Sequence, residues 1–299
     1  GDFVKEADKP IMDDLERRGL LYKRSTYYHT YPFCWRCGSP LLYYAKNSWY
    51  IWTTAVKERL ISSNEQINWY PEHIKGGRFG EWLRNNVDWA ISRERYWGTP
   101  LPIWRCENCE NLQCIGSLEE LRAQASHGAE VYLQSTEPDL HRPFIDRVRL
   151  HCNTCGGQMR RVPEVMDCWY DSGAMTLAQW HYPFENQDVI SNGYYPAHYI
   201  CEAVDQTRGW FYSLHALAVL LEHSTNGTVK APSYQNVVCL GLVLDGEGEK
   251  MSKSRGNVVD PWAILNAHGA DALRWYLLTA APPGNSRRFS AQLVEDVVR

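Results

Sequence analysis

Lys250 and Lys253 stand in the string Lys250-Met251-Ser252-Lys253-Ser254, directly after the glycine-bearing stretch Asp245-Gly246-Glu247-Gly248-Glu249. A loop of that composition bends readily and can carry two ammonium groups to one polyanion. A triphosphate is such a partner: attack on its α-phosphate builds negative charge on the non-bridging and leaving oxygens, and cations set for that charge lower the barrier. A solvated charged turn is the alternative for an arbitrary Lys-x-Ser-Lys. Glu202, Asp205 and Gln206 form a second set, at a point where a strand end meets a helix start. Their oxygens could converge on an ammonium group, although Asp205 alone would serve equally well as a helix cap. A third set comes from the ten cysteines. Cys106-Glu107-Asn108-Cys109 and Cys152-Asn153-Thr154-Cys155 are two C-x-x-C pairs, and two such knuckles can close a tetrahedral four-thiolate zinc site. Neither pair opens a helix in a redox context. Cys34-Trp35-Arg36-Cys37 supplies half a tetrahedral site, and Cys114, Cys168, Cys201 and Cys239 read as core or surface thiols.

The elements that must position these groups read as α/β. A strand near Tyr199 to Cys201, a helix from Arg208 to Leu221 and a strand from Val237 to Leu244 make a strand, crossover helix, strand unit, the pattern of a parallel sheet. Ligands collect at the carboxyl ends of such strands, where the lysine loop begins. Two helices are expected after the loop, the first with Asp260 as N-cap, Pro261 at its first position and Gly269 at its stop. Upstream, Ile11, Met12 and Leu15 share one helical face before a stop at Gly19, and an extended aromatic stretch follows. A strand at Trp49 to Trp52, a short helix around Val56 to Ile61 and a helix from Trp82 to Ile91 are expected next. Arg93 and Arg95 could serve an anionic partner or simply pair along the surface with Glu94. Residues 104 to 162 are polar and cysteine-bearing, and read as an inserted subdomain with a mobile centre from Gln124 to Glu137.

With 299 residues, 44% of them hydrophobic, the chain can bury a substantial core. Its net charge of −4 and pI near 6.2 give no global basic field, so any RNA contact must be local. Thirteen Trp and eighteen Tyr suit either an aromatic core or a grip on planar and apolar ligands. The longest apolar run, Ala216 to Leu221, is far short of the ~20 residues that cross a bilayer, and no secretory signal is visible at Gly1 to Glu6. A cytoplasmic setting is the default expectation. The chain starts without Met and ends at Val297-Val298-Arg299 within an expected helix, as a piece of a longer protein would.

Read together with the following Arg255-Gly256-Asn257-Val258-Val259-Asp260-Pro261, the lysine string resembles the ATP loop of class I aminoacyl-tRNA synthetases. Tyr199-Ile200-Cys201-Glu202-Ala203-Val204-Asp205-Gln206-Thr207-Arg208-Gly209-Trp210-Phe211 is similar to the Glu-Gly-x-Asp-Gln-x-Arg-Gly-Trp-Phe segment of the isoleucine-specific members, with Ala203 in place of the usual Gly. Glu164-Val165-Met166-Asp167-Cys168-Trp169-Tyr170-Asp171-Ser172-Gly173 resembles the Asp-x-Trp-Phe-Asp-Ser segment of the isoleucine, valine and leucine enzymes, and Trp89 to Gly98 matches the same subgroup. The likeness runs from about residue 20 to residue 290, interrupted at 110 to 150.

This resemblance to the isoleucyl-tRNA synthetase family implies the second half of a Rossmann-type parallel-sheet catalytic domain with an inserted small zinc-binding subdomain. It implies activation of isoleucine by ATP with Mg2+ and transfer to tRNA(Ile). Lys253 would contact the ATP phosphates with Lys250 assisting, Met251, Ser252 and Ser254 completing the loop. Trp169 and Trp210 would wall the side-chain pocket, and Glu202, Asp205 and Gln206 would hold the amino acid or its adenylate. The implied layout is the trailing edge of an editing domain and the return to the catalytic domain (1–45), a catalytic segment (46–103), the zinc-ribbon-like insert (104–162), the second Rossmann half (163–245), the ATP loop and following helices (246–280) and the start of a helical anticodon-binding region (281–299). His-Ile-Gly-His, the family's other ATP motif, does not occur in this chain, so the isolated chain is expected to be inactive. Cys34 and Cys37 would be completed as a metal site by upstream cysteines. A structural zinc, a monomeric full-length enzyme and no membrane association complete the expectation. Its rivals are a non-catalytic zinc-ribbon RNA-binding or adaptor protein and a valine-specific enzyme.

Overall fold

The computed structural model describes residues 3–34, 37–126, 130–252 and 255–299. The chain divides into two compact units, Gly1–Asn47 and Ser48–Arg299.

In the first unit, helix α1 (Val4–Arg17) ends where Gly19 turns the chain at φ +66°, a conformation open to glycine. Arg24 folds back on the helix through Asp13 at 2.6 Å. An extended run then alternates its rings, Tyr27, His29, Tyr31 and Phe33 following one another at centroid spacings of 5.5–5.8 Å, as the two-residue period of extended backbone requires.

The second unit opens with β1 (Tyr50–Ile51), α2 (Lys57–Asn64), β2 (Asn68–Tyr70) and α3 (Gly80–Arg84). The helix expected over Trp82 to Ile91 stops at Arg84. Trp89–Ala90 is instead strand β3, paired antiparallel with β1, and Ser92–Arg93 forms β4. Burial of Ile91 between these short strands outweighs the helical spacing of its neighbours.

Residues 103–161 build a sheet of their own. Strands β5 (Ile103–Cys106), β6 (Leu112–Cys114), β7 (Arg149–His151) and β8 (Gln158–Arg161) pair antiparallel in the order β6-β5-β8-β7. Helices α4 (Leu118–Gln124) and α5 (Glu130–Leu133) lie between β6 and β7 in sequence. Trp104, Leu121, Leu133, Ile145, Val148, Leu150 and Met159 form a buried core here. Leu133 falls inside the stretch expected to be mobile, yet it is 2% exposed. At the end of β8 Arg161, with no side-chain exposure, donates to Asp146 through Nε at 2.8 Å and through Nη2.

Strand β9 (Val165–Met166) pairs antiparallel with β4 and leads into α6 (Cys168–Ala178). Then β10 (Ile200–Ala203), α7 (Trp210–Ser224) and β11 (Asn236–Leu240) make the expected parallel crossover, and the sheet order is β10-β11-β2, all parallel. Its main core joins Leu60, Ile67, Trp69, Phe79, Leu83, Phe211, Leu214, Tyr234 and Val237. His215 sits at its centre, wholly buried, with Nε2 against the Leu60 carbonyl at 2.8 Å; burial pulls its pKa down to about 4, so the ring is neutral.

The strand expected from Val237 to Leu244 is in fact two. Gly241 ends β11, because the backbone of Asn285 crosses where a Cβ would lie, and its N–H donates to the Pro283 carbonyl at 2.7 Å. Strand β12 (Val243–Leu244) then pairs elsewhere, with β13 (Arg287–Arg288). Between them runs α8 (Pro261–Thr279), capped by Asp260, which accepts from the Trp262 N–H at 3.0 Å, and broken at Gly269 (φ +82°) where a stop was expected. Helix α9 (Ala291–Val298) packs back on α8 through Val294, Leu273 and Tyr276. No helix among the described residues is long and apolar enough to cross a membrane.

Candidate functional site

Trp169, Ser172, Met175, Glu202, Gln206 and Trp210 line one open cavity of about 420 Å3. Trp169, Ser172 and Met175 come from α6 at three-residue spacing, which sets them on one helical face. Glu202 comes from the end of β10. Gln206 and Trp210 come from the 3₁₀ turn Val204–Arg208 and the first turn of α7.

Short contacts fix both indoles. Trp210 Nε1 donates to the carbonyl of Ser172 at 3.0 Å, so one wall hangs from the helix that carries the other. A Cβ on Gly173 would lie 2.8 Å from the Ser213 backbone, so glycine there lets α6 and α7 touch. A Cβ on Gly209 would lie 2.6 Å from Gln206 Oε1 and 3.0 Å from the Trp169 ring, so glycine there leaves room for the first wall.

The acceptors differ from the sequence expectation in one respect. Gln206 Oε1 already accepts the Trp210 backbone N–H at 3.0 Å, so Gln206, not Asp205, caps α7. Asp205 is exposed and absent from the cavity lining; it accepts from Gln206 Nε2 at 3.4 Å. Glu202 is therefore the one carboxylate among the lining residues. Ser172 and Met175 were not singled out from sequence, although counting three and six residues on from Trp169 along a helix would have found them.

The lysine loop follows β12, which the chain reaches from β11 through Gly241. Glu202 is in register with Cys239 and Ala203 with Leu240, so β11 ends at the same sheet edge as Glu202, and the loop follows one short strand, β12, further along the chain. Lys250 bridges back to Leu244, which turns Asp245–Glu249 into a tight hairpin with Gly248 at φ +91°. Asn257 clasps it: Nδ2 donates to Asp245 Oδ2 at 2.7 Å and to the Lys250 carbonyl at 3.3 Å, while Oδ1 accepts the Ser252 N–H at 2.9 Å. The Asn257 amide, followed by the Glu249 N–H, holds the Asp245 carboxyl below its usual pKa. Lys250 is exposed, Met251 and Ser252 are half-buried, and Lys253 and Ser254 lie outside the described residues.

Arg93 is engaged within the fold. Nη2 donates to Asp167 Oδ2 at 2.6 Å, and Nη1 to the carbonyls of Ala90 and Ser92. Nearby, the carbonyl of Arg95 accepts from Arg142, and Trp97 stacks on His141 at 4.7 Å.

The four insert cysteines converge. Cys106 and Cys155 sulfurs are 3.5 Å apart, Cys109 and Cys152 3.6 Å, and all four lie within 4.8 Å of one another. Metal–sulfur bonds of about 2.3 Å in a tetrahedron put sulfurs about 3.8 Å apart, so the donor set fits one metal ion. Among the described residues this is the one cluster of three or more metal-ligating side chains. Cys34 and Cys37 belong to the first unit, in a turn where Gly38 (φ +68°) donates to the Cys34 carbonyl. The Ser39 hydroxyl lowers the Cys37 thiol to about 7.

Comparison with known proteins agrees with this architecture. The chain is 60% identical over 301 residues to the isoleucine–tRNA ligase of Dehalococcoides mccartyi, an alignment covering all of this chain and 29% of that protein. The isoleucine–tRNA ligase of Thermus thermophilus is 54% identical over 300 residues, covering all of this chain and 27% of the relative. The chain thus spans less than a third of the curated relatives it matches. Among solved structures, the Mycobacterium tuberculosis methionyl-tRNA synthetase in complex with methionyl-adenylate shares the fold at TM-score 0.54 and 20% identity, over 90% of this chain and 40% of that one. The Agrobacterium radiobacter LeuRS in its ternary complex with tRNA and LeuAMS does so at TM-score 0.51 and 23% identity, over 81% and 30%. The family profile of class I tRNA synthetases (I, L, M and V) matches residues 4–290, and the chain belongs to that family.

Proposed function

We propose that this chain is the part of an isoleucine–tRNA ligase that supplies the amino-acid pocket and the phosphate-contacting loop. The observation that carries the reading is the cavity lined by Trp169, Trp210, Glu202 and Gln206, at the end of β10, whose parallel neighbour β11 leads through Gly241 and β12 into the lysine loop. Indole faces held by backbone contacts bury a branched alkyl group, and the Glu202 carboxylate accepts the ammonium group. Gln206, its oxygen engaged by α7, turns its amide donor toward Asp205 and the polar end of the ligand. The isoleucine carboxylate attacks the α-phosphate of ATP, forming the acyl–phosphate bond and releasing pyrophosphate. Lys250 and Lys253, on the loop with Met251, Ser252 and Ser254, offset the charge that builds on the phosphate oxygens. A terminal ribose hydroxyl of tRNA(Ile) then takes the acyl group and AMP departs.

ATP would bring Mg2+, and zinc on Cys106, Cys109, Cys152 and Cys155 would hold the insert together. Cys34 and Cys37 would be half of a second site, completed by upstream cysteines. Residues 1–45 are read as the trailing edge of an editing domain, 46–103 and 163–245 as catalytic, 104–162 as the zinc-bearing insert, 246–280 as the ATP loop with its helices, and 281–299 as the start of the anticodon-binding region. A cytoplasmic, monomeric full-length enzyme goes with this reading. The pocket rejects valine only weakly, since one missing methylene is worth about 1–3 kcal/mol, a limit for which isoleucine-activating enzymes are the standard illustration.

The test is Lys253→Ala in the full-length protein. Isoleucine-dependent ATP–pyrophosphate exchange should fall by about 10²-fold or more while isoleucine binding changes little. Equal exchange in variant and parent rejects the assignment.

A further inference from the structure

We infer that the ion pair between Arg93 and Asp167 is the positioning device of the amino-acid pocket, setting the separation of its two indole walls from behind. The inference rests on the reading of that cavity as the isoleucine pocket.

Asp167 is the N-cap of α6, and its Oδ1 accepts the backbone N–H of Trp169 at 3.3 Å. Its other oxygen accepts from Arg93 at 2.6 Å; the Asp167 side chain is 7% exposed and that of Arg93 37%, so the carboxylate is shielded from water while the guanidinium is partly screened. The backbone is tied at the same place. Asp167 N–H donates to the Ile91 carbonyl at 2.7 Å, and Ser92 and Arg93 stand in register with Met166 and Val165. Arg93 is held in turn by the carbonyls of Ala90 and Ser92. The start of α6 is thus latched to a short antiparallel ladder that takes no part in lining the cavity.

What the latch fixes follows from the geometry of α6. Trp169 lies two residues past the cap, so its indole moves with the helix start. Trp210 belongs to α7, but its Nε1 is bonded to the carbonyl of Ser172, one turn further along α6. A rotation or slide of α6 therefore displaces one wall directly and pulls on the hydrogen bond that fixes the other. At Gly173 the backbones of α6 and α7 approach so closely that a Cβ would lie 2.8 Å from the Ser213 backbone, so movement of α6 is passed to α7. Arg93 is not among the cavity-lining residues, and its effect on isoleucine runs through Trp169 and Trp210.

The experiment uses the full-length protein and pyrophosphate exchange. Arg93→Gln is expected to raise KM for isoleucine about tenfold, with KM for ATP little changed, as removal of one charge-assisted hydrogen bond at a buried cap implies. Asp167→Asn keeps a good N-cap while removing the charge, so it provides a variant that folds if Arg93→Gln does not, and the same KM split is expected. Arg93→Lys should restore most of the affinity. In a Trp169→Ala background Arg93→Gln should have a clearly smaller effect on KM for isoleucine, the remainder running through Trp210. Additive effects in that background overturn the proposal. So does a parallel rise in KM for both substrates, or a loss confined to transfer onto tRNA with exchange unchanged, which would make Arg93 an RNA contact. Absence of isoleucine-dependent exchange in the unmutated full-length protein would instead sink the functional reading itself.

Discussion

Gly209→Ala tests the pocket most directly, because the added atom enters a space measurable on both sides. Its Cβ would lie 2.6 Å from Gln206 Oε1 and 3.0 and 3.3 Å from two carbons of the Trp169 ring. Carbon pairs settle at about 3.5–4.0 Å, so the ring must withdraw by roughly 0.5–1 Å, and the room available is the 420 Å3 cavity. The Gln206 oxygen must also leave the Trp210 N–H, a hydrogen bond worth about 1 kcal/mol net. Overpacking of this kind costs about 1–3 kcal/mol in total. Gly209 is at the pocket wall, so most of that cost should appear in isoleucine binding, where 1–3 kcal/mol corresponds to about 5- to 150-fold. Measured by isoleucine-dependent pyrophosphate exchange in the full-length protein, KM for isoleucine should rise within that range while KM for ATP stays within about twofold. A folded variant with unchanged KM for isoleucine would refute the claim that Gly209 sets the position of Trp169.

Other outcomes follow from features away from the pocket. Elemental analysis should find about one zinc held by Cys106, Cys109, Cys152 and Cys155; Cys152→Ser should release it and expose the 103–161 core to proteolysis, and an unchanged metal content would rule the site out. Asp146→Asn removes the one carboxylate bonded to the buried guanidinium of Arg161, leaving only the weaker pull of Glu164, and urea denaturation should show a loss of about 3 kcal/mol. His215 has a folded pKa of about 4 against 6.5 when exposed, so the unfolded state binds the extra proton. Stability should therefore be complete above pH 6.5 and fall as the pH drops through the window from 6.5 to 4, by about 2 kcal/mol at pH 5, since each unit is worth about 1.4 kcal/mol. His215→Gln should remove that component of the slope, and an identical slope in both proteins would show that His215 does not carry it.

The convergence of the paired cysteines and the start of α8 were legible in the sequence because spacing alone limits what such residues can reach. Two C-x-x-C pairs must each present two sulfurs to one point, and Asp260-Pro261 must start a helix; both hold in the structure. The crossover from β10 through α7 to β11 was equally plain, because long apolar runs separated by one helix leave few alternatives. What the linear pattern could not decide were contacts made across the sheet. Val237 to Leu244 is strand-forming apart from Gly241, and there the backbone of Asn285 crosses and divides it. Trp82 to Ile91 has helical spacing, yet Trp89–Ala90 answers to Tyr50–Ile51. Asp205 and Gln206 are equivalent as letters, and only the position of the Trp210 N–H selects Gln206 as the cap. Arg93 offers the same lesson: from sequence it is a cation open to any anion, and tertiary pairing with Asp167, 74 residues away, commits it to holding a helix.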